Sequence, residues 1–282
     1  MQEFSSHSSL VSLYRHVCWL DVQALKPGNT SVYSNTSTPG VQEFLESAKA
    51  SAAPLACPGL SLGERILQAI QATRQAVDTN TNLGIILLIA PLIHAWLGRT
   101  GRKLEVALEE TLRQSTVLDA KNVYRAIRIA QPGGLGHVDD QDIYEEPTVT
   151  LLNAMKISSS KDRVALQYAS NFRDIFHFGR SRYRSLLMHW GDECWAASGL
   201  YLAFLARFPD SLVSRKYGML KAQEISDMIT PFEKEFCRSD SPVRYKSQLL
   251  EIDSCLKRDR INPGTTADLT VASIFAEGLE ML

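Results

Sequence analysis

Cysteine is sparse in this 282-residue sequence: Cys18, Cys57, Cys194, Cys237 and Cys255 are odd in number, scattered, and without the paired spacing that zinc or redox sites use. They predict a reduced, cytoplasmic protein whose fold does not depend on disulfides. The first residues, Met1-Gln2-Glu3-Phe4-Ser5, lack the basic start and apolar stretch of a secretory leader. The sequons Asn29-Thr30-Ser31 and Asn35-Thr36-Ser37 are therefore not expected to carry glycans. The most apolar run, Leu83 to Trp96, is shorter than the roughly 20 residues of a membrane span and contains Pro91 and His94, so it is expected to be a buried core helix. An excess of one charge is missing as well. Thirty Lys plus Arg against thirty-one Asp plus Glu leave a formal charge of −1, which provides no field to gather nucleic acid or an anionic membrane. Neither is an expected partner, and any phosphate must be bound locally.

Several nucleotide and hydrolase signatures are also lacking. There is no Gly-x-Gly-x-x-Gly, no Walker lysine loop, no Gly-x-Ser-x-Gly elbow and no His-Glu-x-x-His. The common nucleotide folds, serine hydrolases and zinc proteases lose their support.

What the sequence does have is helical periodicity. Leu10, Leu13, Tyr14, Val17 and Leu20 recur at three- and four-residue intervals, which places them on one helical face. That helix should stop before Lys26-Pro27-Gly28, because proline disfavours helical geometry in the residue preceding it and glycine frees the chain for a turn. Further helices are expected over Val41 to Ala53, from a Ser61 cap onward, at Leu83 to Trp96, Leu104 to Arg113 and Asp119 to Ala130. Beyond Thr148, helical pattern covers Asp162 to Phe178, Ser181 to Phe208, Asp210 to Met228, Tyr245 to Leu256 and a C-terminal segment opened by Asn262-Pro263-Gly264. No internal repeat is visible. The pattern predicts an all-α, single-domain globule of roughly ten helices over residues 1–282.

Polar loops punctuate these helices, and each has an ordinary explanation beside a functional one. Lys26-Pro27-Gly28-Asn29 terminates a helix, or it offers a lysine to a phosphate. Asn80 and Asn82, within Asp78-Thr79-Asn80-Thr81-Asn82, either cap a helix or seat an anion at its N-terminus. Asp139, Asp140, Asp142, Glu145 and Glu146 form the densest acidic cluster, which is either a solvated loop or a shared cation site; Mg²⁺ takes one or two carboxylates and completes its shell with water and phosphate. In Pro209-Asp210-Ser211, capping accounts for Asp210 or Ser211, whereas Arg215 and Lys216, one turn on, suit either a phosphate or a wet helix face. His137 is expected at the surface. His189-Trp190-Gly191-Asp192-Glu193 has no nucleophile at a useful spacing and reads as packing and surface.

The ordered set resembles the triphosphoribosyl-dephospho-coenzyme A synthase family: Lys26-Pro27-Gly28, Asn80-Thr81 with Gly84, Asp210-Ser211 with Arg215, and Pro263-Gly264 with Ala267-Asp268-Leu269. The resemblance implies an all-α fold and a transferase that moves the ribose-triphosphate of ATP to 3′-dephospho-coenzyme A and releases adenine. It implies Asp210 and Asp268 as catalytic carboxylates facing magnesium or ribose, and Lys26 and Arg215 as phosphate contacts. Asn80 is implied as a nucleotide ligand, with Asn29, Asn82 and Ser211 as further nucleotide or phosphate contacts. Mg²⁺ is the expected cofactor, with the carboxylates of Asp139, Asp140, Asp142, Glu145 and Glu146 as its candidate ligands. Several positions depart from the family pattern. Ser31 replaces an aspartate, Asn82-Leu83 replaces a histidine and a cation, Pro132-Gly133-Gly134-Leu135-Gly136 replaces Gly-Ala-Arg-Gly-Glu, and Lys216-Tyr217 replaces a glycine pair. The variant motifs are similar to a divergent branch among archaea and one-carbon-metabolising bacteria. This suggests a second reading, a nucleotide-dependent ligase or kinase-like step in making a methanopterin- or methylofuran-type cofactor. A third is a non-catalytic nucleotide-binding protein.

Overall fold

The structure is a computed structural model that describes residues 2–33, 39–133 and 141–282, with side chains from residue 7 onward. Among the described residues there is no strand, and fourteen α-helices run in the order α1 (Gln2–Gln23), α2 (Val41–Ala56), α3 (Leu62–Ala76), α4 (Leu83–Gly98), α5 (Leu104–Arg113), α6 (Val117–Ala130), α7 (Leu151–Ser158), α8 (Arg163–Ala169), α9 (Arg180–Trp190), α10 (Glu193–Arg207), α11 (Ser211–Tyr217), α12 (Met219–Phe236), α13 (Lys246–Arg258) and α14 (Gly264–Leu279). A π-helical segment, Asp174–Gly179, leads into α9, and a 3₁₀ turn, Pro242–Tyr245, precedes α13. No helix among the described residues is long and apolar enough to cross a membrane.

The expected all-α class is observed, with more helices than the periodicity suggested. Hydrophobic spacing continued across breaks made by single residues. Gly191 is left-handed at φ 64° and Asp192 then caps α10 through the Trp195 amide at 2.9 Å, so one long segment becomes α9 and α10. Gly218, at φ 90°, separates α11 from α12 in the same way.

Elsewhere the local chemistry acts as the sequence implies. Ser61 and Glu64 form a reciprocal capping box at the start of α3. Helix α4 is apolar on all sides and lies in the core, packed against α14, α5 and α3. Pro91 inside it has no N–H to give the Leu87 carbonyl, and the buried Tyr168 hydroxyl donates there instead at 2.6 Å. Two hydrophobic clusters result. The larger unites most of α1–α9 with α14, and the smaller gathers α10–α13 with Leu25, Ile261 and Ala267. A polar cleft lies where they meet, since Leu83 and Ile85 of the first and Ile261 and Ala267 of the second all line it.

Candidate active site

The first loop to reach the cleft is Lys26-Pro27-Gly28-Asn29, held by bonds from three distant segments. Gly28 is left-handed at φ 82°, its amide donates to Asp253 Oδ1 at 2.8 Å, and Tyr201 donates its hydroxyl to the Pro27 carbonyl at 2.7 Å. A β-carbon on Gly28 would stand 2.8 Å from the Ile261 carbonyl and 2.9 Å from Pro263 Cδ. Only glycine fits, and the N-terminal loop therefore interlocks with the loop that opens α14. Asn29 completes the junction: its Nδ2 donates to Asn262 Oδ1 at 2.9 Å.

Lys26 has no solvent exposure. Its ammonium donates to the Asp21 carboxylate and to Asn29 Oδ1, the latter at 2.7 Å. Burial pushes the Asp21 carboxyl up from its ordinary value, and the adjacent ammonium opposes that shift. Lys26 thus fixes the loop and neutralises Asp21, and it is absent from the cleft wall, where Asp21 and Asn29 appear.

The opposite wall is the N-terminus of α4. Asn80 and Thr81 face the cleft, and Asn80 Oδ1 accepts from the Leu83 amide at 3.4 Å. Asn82, two residues from Asn80, points the other way. It is buried, donating to Ser51 Oγ and accepting from Thr73 Oγ1, each at 3.2 Å, and Tyr14 bonds the same Ser51 at 2.9 Å. Asn82 ties α1, α2 and α3 to the base of α4 and does not line the cleft.

Asp210 and Asp268 are brought near one another but are differently occupied. Asp210 is buried; its Oδ1 caps α11 through the Val213 amide at 2.9 Å, while its Oδ2 takes the Thr266 amide at 2.7 Å and hydroxyl at 2.8 Å. Burial raises its carboxyl, and these donors pull it back down. It clamps α11 to the first turn of α14. Ser211 extends the clamp, bonding Thr265 Oγ1 and accepting from the Arg163 amide, both at 3.1 Å. Asp268, one turn into α14, lines the cleft and has no hydrogen-bond or ion-pair partner among the described residues. Burial, then the charges of Asp21 and Asp210, raise its carboxyl well above the usual carboxylate range, against the pull of Lys26.

Arg215 is exposed and pairs with Asp162 at 2.8 Å, which in turn caps α8 through the Ala165 amide at 3.0 Å. It does not line the cleft. Of the acidic cluster, Asp139 and Asp140 lie outside the described residues. Asp142 is buried and accepts the Tyr144 amide at 2.9 Å, Glu145 is exposed, and Glu146 reaches Lys121 at 3.3 Å. Among the described residues no three His, Cys, Asp or Glu side chains come together as a metal-binding group.

The resulting cleft has a volume of about 380 Å³ and brings together three of the expected residues, Asn29, Asn80 and Asp268. Thr81, which shares the Asn80 motif, lines it too, as do Asp21, Lys257, Arg260 and Asn262, to which the sequence motifs assign no role. Asp21 looks like one polar residue in an amphipathic helix, and Lys257 and Arg260 look like ordinary C-terminal cations. The one available signal was their proximity in sequence to the two loops.

No curated protein matches the sequence. A solved structure from Archaeoglobus fulgidus, described as a triphosphoribosyl-dephospho-coA synthase, superposes with a TM-score of 0.63 at 25% identity, covering 83% of this chain and 97% of that one. The family model for CitG, ATP:dephospho-CoA triphosphoribosyl transferase, matches residues 7–282. The chain belongs to this family of triphosphoribosyl-dephospho-CoA synthase-like transferases.

Proposed function

We propose that the protein, acting as one domain over 1–282, transfers the triphosphoribosyl group of ATP, or of a related phosphoribosyl donor, to 3′-dephospho-coenzyme A or a similar cofactor precursor. The observation that carries this reading is the carboxyl of Asp268, facing a polar cleft without a partner while Asp210, Asp21 and Lys26 are each engaged.

An unpaired, partly buried acid beside the donor's glycosidic bond can serve in both halves of the transfer. As the bond from ribose C1′ to adenine breaks, adenine leaves with the electron pair and takes the Asp268 proton. The carboxylate left behind faces a ribosyl centre of oxocarbenium character and stabilises it electrostatically. A hydroxyl of the acceptor then forms the new bond to C1′, and its proton returns to Asp268. Asn29, Asn80 and Thr81 supply amide and hydroxyl groups to orient ribose and phosphate, while Asp210 and Lys26 position the loops from behind.

Mg²⁺ fits this donor set as the partner of a triphosphate. Lys26 bonds only one oxygen of the Asp21 carboxylate, so the other, with the Asn80 amide oxygen that the Leu83 amide holds at 3.4 Å, would be the hard oxygen donors available to it alongside phosphate oxygens. Bound there, it would supply neutralisation of phosphate charge. Incubation with Mg²⁺, ATP and dephospho-coenzyme A followed by chromatography tests the reading. Adenine with a heavier coenzyme supports it, whereas ADP or AMP supports a ligase or kinase-like reaction. Nucleotide binding without any product would support a non-catalytic role.

A further inference from the structure

The C-terminal end of α13 contains a feature that the reaction above leaves unused. Arg260 adopts φ +57°, in the left-handed region where a side chain is strained and glycine is the usual residue. The strain is imposed from both sides. The Arg260 amide donates to the Lys257 carbonyl at 2.9 Å, and its own carbonyl accepts the Tyr217 hydroxyl at 2.7 Å. The next residue, Ile261, is buried, donates to the Leu256 carbonyl at 2.8 Å, and packs its own carbonyl against Gly28. The chain thus turns sharply at Arg260 to enter the interlocked loops, and the side chain emerges on the exposed rim of the cleft.

The charges around it are already engaged. Lys26 is held by Asp21 and Asn29, and Lys257 by Asp253 at 2.7 Å. Arg260 lines the same cleft with no hydrogen-bond or ion-pair partner for its guanidinium among the described residues. Five other described non-glycine residues also have a positive φ, so the turn itself assigns no role; what sets Arg260 apart is an unpartnered guanidinium on the cleft wall. The cleft is then polar in a second sense, with a buried acid, Asp21, and the partly buried Asp268 inside and a planar, permanently charged donor at the rim.

We infer that Arg260 is the phosphate anchor of this cleft, gripping the polyphosphate of the donor from the rim while the ribose lies at Asp268, with Tyr217 as the positioning residue that fixes its peptide. This deepens the proposed transferase reading and rests on it for the identity of the donor; the phosphate contact itself can be measured separately.

Inorganic tripolyphosphate, which carries no ribose or base, is the probe, titrated calorimetrically into the full chain and its variants. Arg260→Ala is expected to weaken tripolyphosphate and ATP binding by about 10- to 100-fold, the range of a charge-assisted bidentate contact. Arg260→Lys should restore part of the loss, and adenosine affinity should stay unchanged. Arg260→Gly separates this role from a structural one, because glycine accepts the left-handed turn. It should lose tripolyphosphate like the alanine variant while its Tm stays at or above that of the parent. Tyr217→Phe, which does not remove the cation, should weaken the probe several-fold. Equal binding by parent and Arg260→Ala, no binding by the parent, or a lower Tm for Arg260→Gly would each overturn the assignment. Tripolyphosphate binding that depends on Arg260 in a protein that releases no adenine would uphold the anchor and remove the transferase reading instead.

Discussion

Gly84 and Asp268 meet face to face: a β-carbon on Gly84 would lie within 2.5 Å of Asp268 Cγ. The first turn of α4 therefore approaches the cleft carboxyl as closely as a backbone can, and residue 84 has to be glycine for Asp268 to keep its place. Gly84→Ala should leave the helical content intact but displace the carboxyl. A misplacement of about 1 Å at a reacting group costs on the order of 100-fold in rate. Steady-state kinetics should show this loss mainly in kcat, and an unchanged kcat would mean that Asp268 is not at the reacting centre.

The raised Asp268 carboxyl makes a prediction with a definite sign. Burial, Asp21 and Asp210 all favour its protonated form in the folded chain. A carboxyl whose folded pKa lies above the unfolded value, about 3.9, contributes stability at low pH, and that contribution is lost as pH rises toward the folded value. Asp21 and Asp210 shift in the same direction, so the useful quantity is a difference. The Tm of Asp268→Asn minus that of the parent should grow as pH is raised from 4 upward. A difference that is flat with pH would show that the group ionises normally.

Asp210 should behave as a clamp. Removing its carboxylate by Asp210→Ala strands the Thr266 and Val213 amides in a buried site and should cost about 2–4 kcal/mol in urea unfolding. Activity should fall with it because the first turn of α14 is released. Unaltered stability with lost activity would instead place Asp210 at the substrate.

For Lys26 and Asp21 the informative experiment is a double-mutant cycle. Breaking a buried ion pair from one side costs about 3–5 kcal/mol because the other charge is left uncompensated, whereas replacing both partners is much less damaging. Lys26→Met should therefore be strongly destabilised, and Lys26→Met combined with Asp21→Asn should recover much of the loss. Additive penalties would show that the two residues do not compensate each other.

Much of this arrangement was legible in the sequence because loops announce themselves. The proline and glycine of residues 26–28, the asparagines at 80 and 82 and the Asn262-Pro263-Gly264 turn marked the helix ends that build the cleft, and apolar periodicity located most helices. Periodicity is blind to single-residue breaks, so Gly191 and Gly218 divided segments that read as continuous. Residue type also says nothing about direction. Asn80 and Asn82 look alike in sequence, yet one faces the cleft and the other joins Ser51 and Thr73 in the interior. Partners distant in sequence are equally hidden: Arg215, implied as a phosphate contact, is taken by Asp162, and Asp253 reaches the Gly28 amide across 225 positions. Asp21 and Arg260 carry no motif at all, and only the tertiary meeting of α1, α13 and α14 brings them to one cleft.

The most direct test of the central claim is the fate of ATP's adenine. With Mg²⁺, ATP and dephospho-coenzyme A present, the protein should release free adenine in step with a triphosphoribosylated acceptor, and Asp268→Asn should release none while remaining folded. Release of ADP or AMP in place of adenine, or adenine release undiminished in Asp268→Asn, would contradict it.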